Sequence, residues 1–302
     1  MALRVLLTGG TGFVGSAVRS ALLRQGHQVR LLVRSRSRDK WSSLLGTAGI
    51  EFVNGDVTDL ISMKHAAEAV DCIVHLVGII REGAQTQETF EYVHVTGTET
   101  VIEAAQDRGV SRIVYISALG ARPDASTRYH LTKYAAEQKI IQSGLGWTIL
   151  RPSILWDTDS PFIRMVKRRI HRALPFIIPG SSKTHFQPVF VENFAEGLVF
   201  LLTQRIAAGQ IFEIGGPEAL TFSEIIDRIA ASKGVNKVMK IPVPRLFMAP
   251  IVASLQYTPF FPLTYEQFKL LNEDNVTKDR RFWEMSGIVP VPFMKSAGGT
   301  LL

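Results

Sequence analysis

"LTGGTGFVG" (7–15) places four glycines directly after the apolar run "RVLL" (4–7). Gly9, Gly12 and Gly15 are spaced G-x-x-G-x-x-G, between a short apolar strand and a segment with Val14, Val18, Leu22 and Leu23 at helical intervals. In that setting each glycine has a physical task. Gly9 lets the chain turn sharply off the strand. Gly12 removes the Cβ that would hold backbone away from a pyrophosphate, and Gly15 lets the helix pack closely. The helix N-terminus then offers free N–H groups and a partial positive charge to phosphates.

Outward from this turn the alternation continues. "QVRLLV" (28–33), "IEFV" (50–53), "CIVHLV" (72–77), "RIVYI" (112–116) and "WTIL" (147–150) read as strands. Helical patterns fall between them at 12–25, 59–70, 90–107 and 129–143. Continuous apolar strands separated by helices predict an α/β fold, a doubly wound parallel sheet of the Rossmann type covered on both faces. After Arg151 prolines become frequent and the rhythm breaks. We expect a nucleotide-binding domain over 1–155 and a smaller irregular lobe over 156–302, with 186–216 returning to the sheet.

Composition narrows the class. The chain has 302 residues, 46% hydrophobic and 20% charged, which is globular and long enough for a large core. Cys72 is the one cysteine, so no disulfide framework forms and a reducing compartment, the cytoplasm, is expected. The apolar run in "MALRVLLTGG" is too short for a signal peptide. The best candidate for a membrane span, 241–263, is broken by Pro242, Pro244, Pro250, Pro259 and Pro262. No window reaches the ~18 uninterrupted apolar residues a spanning helix needs. A net charge of +7 favours anionic partners. The basic residues have no interleaved aromatics, so nucleic acid is not expected. No metal is expected.

Several further motifs carry a resemblance. "TGGTGFVG" (8–15) resembles the fingerprint of the short-chain dehydrogenase/reductases in their extended and atypical branches, and the likeness runs over about the whole chain. "GDVTD" (55–59), "VHLVG" (74–78), "TGTETVIEAA" (96–105), "YHLTK" (129–133), "LRPSILW" (150–156) and "FQPVFVENFAEGL" (186–198) match successive family segments. Within the family the likeness is greatest to the group around the nucleotide-binding accessory subunit of mitochondrial complex I and its bacterial relatives. "PLTYEQFKLLNEDNV" (262–276) adds to it. The resemblance implies a nucleotide cofactor held by Gly9, Thr11, Gly12, Phe13, Val14 and Gly15. It implies Asp56 on the adenine amino group, Val57 on the ring, and Leu76, Val77 and Gly78 along the riboses. Lys133, Pro152 and Ile154 complete the implied contacts.

The second strand ends in "VRSRSRDK" (33–40), with Arg34, Ser35 and Arg36 and no acid until Asp39. A carboxylate there would bind the ribose hydroxyls of NAD, whereas basic residues accommodate the 2′-phosphate of NADP. NADP(H) is therefore favoured over NAD(H).

In active family members a tyrosine acts as acid or base at the substrate oxygen, and a lysine one turn on lowers its pKa and holds the ribose. Tyr129 and Lys133 lie at i and i+4, on one helix face. The resemblance implies Ser117 as the serine that shares the proton, although the family's usual position is one later, where this chain has Ala118. His94 replaces an asparagine of the proton relay, and histidine there either relays or packs.

The stretch "PFIRMVKRRIHRALPFIIPG" (161–180) stands apart. Over 161–174, Phe162, Ile163, Val166, Ile170, Ala173 and Leu174 share one helical face and Arg164, Lys167, Arg168, His171 and Arg172 the other. Such a helix packs on its own lobe, meets a partner, or lies at the inner face of an anionic membrane. Phe260 and Phe261 extend the sticky surface. The expected function is an NADP(H)-dependent oxidoreductase on an unidentified carbonyl or quinone-like small molecule. The alternatives are a non-catalytic cofactor-binding subunit or assembly factor of a respiratory or other membrane complex, and a redox sensor.

Overall fold

The computed structural model describes residues 2–83, 88–170, 174–235, 237–258, 261 and 263–295. In β1 (Arg4–Thr8) the strand period of two sends Val5 and Leu7 into one core and Leu6 into the other, all fully buried. Both faces of the strand are covered, which is why its sequence is a continuous apolar run. β2 (Gln28–Val33), β3 (Ile50–Asn54), β4 (Cys72–His75), β5 (Arg112–Ile116) and β6 (Gly146–Pro152) repeat the pattern. With the strand Gln210–Ile214 beyond β6 they form a seven-stranded parallel sheet, ordered Gln210–Ile214, β6, β5, β4, β1, β2, β3. The order reverses at β1, which pairs with β2 on one side and β4 on the other. In open α/β sheets the crevice beyond such a switch point receives ligands.

α1 (Phe13–Arg24) and α6 (Val191–Thr203) cover one face, joined through Val18, Leu22, Phe194 and Leu198. α2 (Leu60–Ala66), α3 (Gly97–Asp107) and α4 (Arg128–Gln142) cover the other through Met63, Val101, Ala136 and Ile140. Two helices differ from their sequence pattern. The pattern over 59–70 gives a helix only to Ala66, because Arg30 reaches across and donates to the carbonyls of Ala66 and Glu68. Ala69 then turns out with φ 51°. The pattern over 90–107 opens with one π-helical turn, Glu91–Thr96, before α3.

The C-terminal lobe is built from short paired strands, such as Phe176–Pro179 with Lys240–Val243, around a core that includes Trp156, Phe222, Ile226 and Phe293. α5 (Pro161–Arg169) packs on α7 (Phe222–Ser232) within it. Ser160 caps α5 and the helix stops at Arg169, since Ile170 is already extended. Ile163, Val166 and Ile170 lie in the lobe core, so the apolar stripe of α5 is taken up internally. Leu174 is off the helix; His171, Arg172 and Ala173 lie outside the described residues, as do Pro259, Phe260 and Pro262. α8 (Arg245–Leu255) lies across the lobe with Met248 and Val252 buried. Among the described residues no helix is long and apolar enough to cross a membrane.

Candidate nucleotide and active site

A cleft of about 640 Å³ opens at the carboxyl ends of β1, β2, β3 and β4. Its floor is the glycine turn. Gly9 has φ +73°, a left-handed conformation that favours glycine. A Cβ on Gly15 would come 2.2 Å from the Gly9 carbonyl oxygen, so the start of α1 is pressed against the turn itself. A Cβ on Gly12 would meet only that same oxygen, at 3.3 Å, leaving the cleft side open. Gly12 is the N-cap of α1 and no side chain caps the helix. The first-turn N–H groups, flanked by Thr11, Phe13 and Val14 on the cleft wall, are thus free to bind an anion.

At the β2–β3 end the wall carries Arg34, Arg36, Asp56 and Val57. Glu88, from far along the chain, brings one carboxylate oxygen to 2.6 Å from Arg34 Nη1 and 2.7 Å from Arg36 Nη2. Asp56 accepts from the Thr58 amide at 3.1 Å and hydroxyl at 2.9 Å, and its other oxygen lies 3.9 Å from Arg34. Ser35 is off the wall, with its hydroxyl donating to Asn54 Oδ1 at 2.7 Å.

The opposite end is made by Leu76, Val77 and Gly78, just past β4. A methyl on Gly78 would lie 3.4 Å from His94 Nε2 and 3.6 Å from Lys133 Nζ, so α4 and the π turn stand directly behind this wall. Lys133 is buried, donates to the Ile116 carbonyl at 2.6 Å and sits 4.4 Å above the Tyr115 ring. Burial lowers its pKa to about 7, against the pull of Glu137. Glu137 is itself buried and forms a two-point ion pair with Arg151 of β6, which fixes α4 on the sheet. The Tyr129 ring packs edge-on against Phe90 and His94. Its hydroxyl has no hydrogen bond among the described residues, and burial pushes its pKa up to about 12. Ser117 Oγ is buried without a partner. Pro152 and Ile154 stand at and just past the end of β6, outside the walls of the 640 Å³ cleft.

His94 is fully engaged. The Ile79 amide donates to Nε2 at 3.0 Å, so the proton is on Nδ1, which donates to Thr132 Oγ1 at 2.9 Å. Burial first and Lys133 next lower its pKa to about 2. Of the two sequence readings, relay or packing, this geometry is the packing one: a neutral clip between the cleft loop and α4.

A family profile described as NAD(P)H-binding matches residues 9–172. The chain belongs to that family. Its relatives place it among the atypical short-chain dehydrogenase/reductases. It is 28% identical to the 2-alkyl-3-oxoalkanoate reductase of Stenotrophomonas maltophilia, over 79% of this chain and 78% of that protein. It is 27% identical to the mitochondrial NADH dehydrogenase (ubiquinone) 1 alpha subcomplex subunit 9 of Mus musculus, over 94% of this chain and 76% of that one. The fold matches a dTDP-glucose 4,6-dehydratase from Streptomyces venezuelae, DesIV, with NAD bound: TM-score 0.71, 21% identity, 98% of this chain and 94% of the other.

In this short-chain dehydrogenase/reductase two further residues, neither among the sequence-predicted site residues, brace the cleft. Arg19 is buried in α1 and donates to the Gly10 carbonyl at 2.7 Å and to Ser16 Oγ at 3.1 Å, tying the glycine turn to the helix. An arginine one turn below the glycines, on an otherwise apolar face, was the available clue. His75 is held between Thr8 Oγ1 at 2.7 Å and Thr98 Oγ1 at 3.2 Å, bracing β1 and β4 under the cleft against α3.

Proposed function

We propose that the protein is an NADP(H)-dependent oxidoreductase acting on a carbonyl or quinone-like substrate, residues 1–155 binding the nucleotide and 156–302 shaping the substrate or partner side. The observation that carries this reading is the position of Lys133 behind Gly78, four residues from Tyr129 on α4. In this reading Tyr129 and Lys133 act as an acid–base pair from behind the wall remote from the arginines, although neither side chain lines the cleft itself. Gly9, Thr11, Gly12, Phe13, Val14 and Gly15 hold the pyrophosphate, Asp56 and Val57 the adenine, and Leu76, Val77 and Gly78 the riboses. Arg34 and Arg36 take the 2′-phosphate in place of Glu88, with Ser35 anchoring their turn to Asn54. Pro152 and Ile154 approach the nicotinamide end from β6.

Reduced nicotinamide supplies a hydride when bound. Tyr129 gives the proton to the substrate oxygen, its unpartnered hydroxyl being free to do so. Ser117, with a buried hydroxyl lacking a partner, shares the substrate oxygen. Lys133 leaves the Ile116 carbonyl for the ribose and, once charged, lowers the tyrosine's pKa. The test is NADPH oxidation by the purified protein with a panel of carbonyls and quinones. Turnover with at least one member supports the reading; bound NADPH with none sinks it.

A second reading is a non-catalytic cofactor-binding subunit of a membrane complex. Ala118 and the locked His94 favour it, because neither can pass a proton. The mouse relative's name, a subunit of an NADH dehydrogenase, is in keeping. Peripheral contact of the basic face of α5 with an inner membrane surface belongs to this reading.

A further inference from the structure

A second cavity, about 340 Å³, lies in the C-terminal lobe between α5, α8 and the strand Phe176–Pro179. It shares no wall residue with the nucleotide cleft. Met165, Val166, Phe176, Met248 and Val252 line it, and Arg169 is its one charged wall residue. Arg169 Nη1 donates to the Met165 carbonyl at 2.9 Å, and no carboxylate pairs with it among the described residues. Its neighbour Arg164, by contrast, is matched by Asp159 at 3.0 Å. An apolar cavity with one convergent polar group is the usual form of a small-molecule site, and this volume is near the low end of the ~300–1,000 Å³ such sites occupy. A half-buried guanidinium without an acid is completed by an anion, which it binds through two parallel N–H groups when that anion is a carboxylate.

The helix above points the same way. Met248 and Val252 face the cavity, while Leu246 is 80% and Phe247 63% exposed on the outer side. A helix apolar on both sides is not accounted for by packing on its own lobe.

We propose that this cavity binds a single-chain amphiphile with a carboxylate head, the chain against Met248 and Val252 and the head on Arg169. The volume suits a single chain. The proposal goes beyond the nucleotide-dependent activity and stands whether or not turnover is found.

Calorimetry of the full chain with dodecanoate, below its micelle concentration, tests it. One site per chain is expected. 1-Dodecanol, which lacks the charge, and Arg169→Glu are each expected to weaken binding at least tenfold. Val252→Trp, which fills the cavity, is expected to abolish it. NADPH affinity of both variants stays within twofold of wild type, showing that they are folded. Dodecanoate binding unchanged in Arg169→Glu and Val252→Trp overturns the proposal. So does binding seen only above the micelle concentration. Sedimentation with phosphatidylglycerol vesicles separates the source: adhesion to vesicles without binding of dodecanoate identifies a membrane-docking face and also overturns the site.

Discussion

One oxygen of Glu88 lies 2.6 Å from Arg34 and 2.7 Å from Arg36, so a single internal carboxylate joins the two arginines that follow β2. In the NADP(H) reading proposed above, a 2′-phosphate, with more charge and more acceptor oxygens than that carboxylate, takes its place. All three side chains are partly exposed, and exposed ion pairs are worth ~0.2–1 kcal/mol. Glu88→Gln is therefore expected to tighten NADPH about two- to fivefold and leave NADH nearly unchanged, by calorimetry at fixed ionic strength. Wild type is expected to bind NADPH at least about tenfold more tightly than NADH, and Arg34→Ala to lose most of that difference. A Glu88→Gln protein that weakens NADPH would instead make the carboxylate a ligand of ribose hydroxyls.

The glycines separate binding from folding. At Gly12 a side chain projects toward the cleft and meets little protein, so Gly12→Val is expected to abolish NADPH binding with a modest loss in thermal midpoint. At Gly15 even a methyl runs into the Gly9 carbonyl at 2.2 Å and Gly10 Cα at 2.5 Å. Gly15→Ala is expected to lower the midpoint much further, since backbone must move. Equal thermal shifts in the two variants would contradict this assignment.

That much was legible in the sequence, and the reason is local. β1 to β6 and the glycine turn depend on residues within a few positions of each other, so apolar runs and spacing reveal them. Glu88 was not legible: the run after β2 shows no acid before Asp39, and the partner arrives from beyond β4 through the topology. His94 could be read two ways because its role depends on Ile79 and Thr132, one on a loop and one on another helix. The amphipathic pattern of α5 runs further than the helix does, as Ile170 leaves the helix to enter the lobe core and periodicity alone cannot see that.

Acid should act through buried imidazoles, most strongly His75 and His94, with His130, lowered to about 4 mainly by burial, adding a smaller part. Burial first, then Lys133, lowers His75 to about 3, and the same causes lower His94 to about 2. The unfolded chain takes up these protons near the ordinary 6.5, whereas the folded chain refuses them until far lower pH. Stability is thus unaffected above about pH 6.5 and falls as pH drops from there toward 3. His94→Asn keeps a polar group at the clip and removes one titration, so its thermal midpoint should fall less between pH 6.5 and 4.5 than that of wild type. An identical fall would place the acid sensitivity elsewhere.

Lys133 acts at the other end of the scale. Its folded pKa of about 7 lies below the ordinary 10.5, so the unfolded state holds a proton that the folded state has released. Stability from this residue rises as pH increases from about 7 to 10.5. Lys133→Met should flatten that rise in thermal scans and weaken NADPH as well. A variant with the wild-type pH slope would show that the ammonium is not desolvated as described.

The central claim rests on the Tyr129 hydroxyl, and one comparison tests it: the rate of NADPH oxidation by wild type and by Tyr129→Phe with a carbonyl or quinone substrate that turns over. Removing a general acid costs about 10²–10⁴ in rate. The account predicts a loss of that size at nearly unchanged NADPH affinity, because the contacts proposed for the phosphates and riboses are made by other residues. A Tyr129→Phe protein as fast as wild type would contradict it.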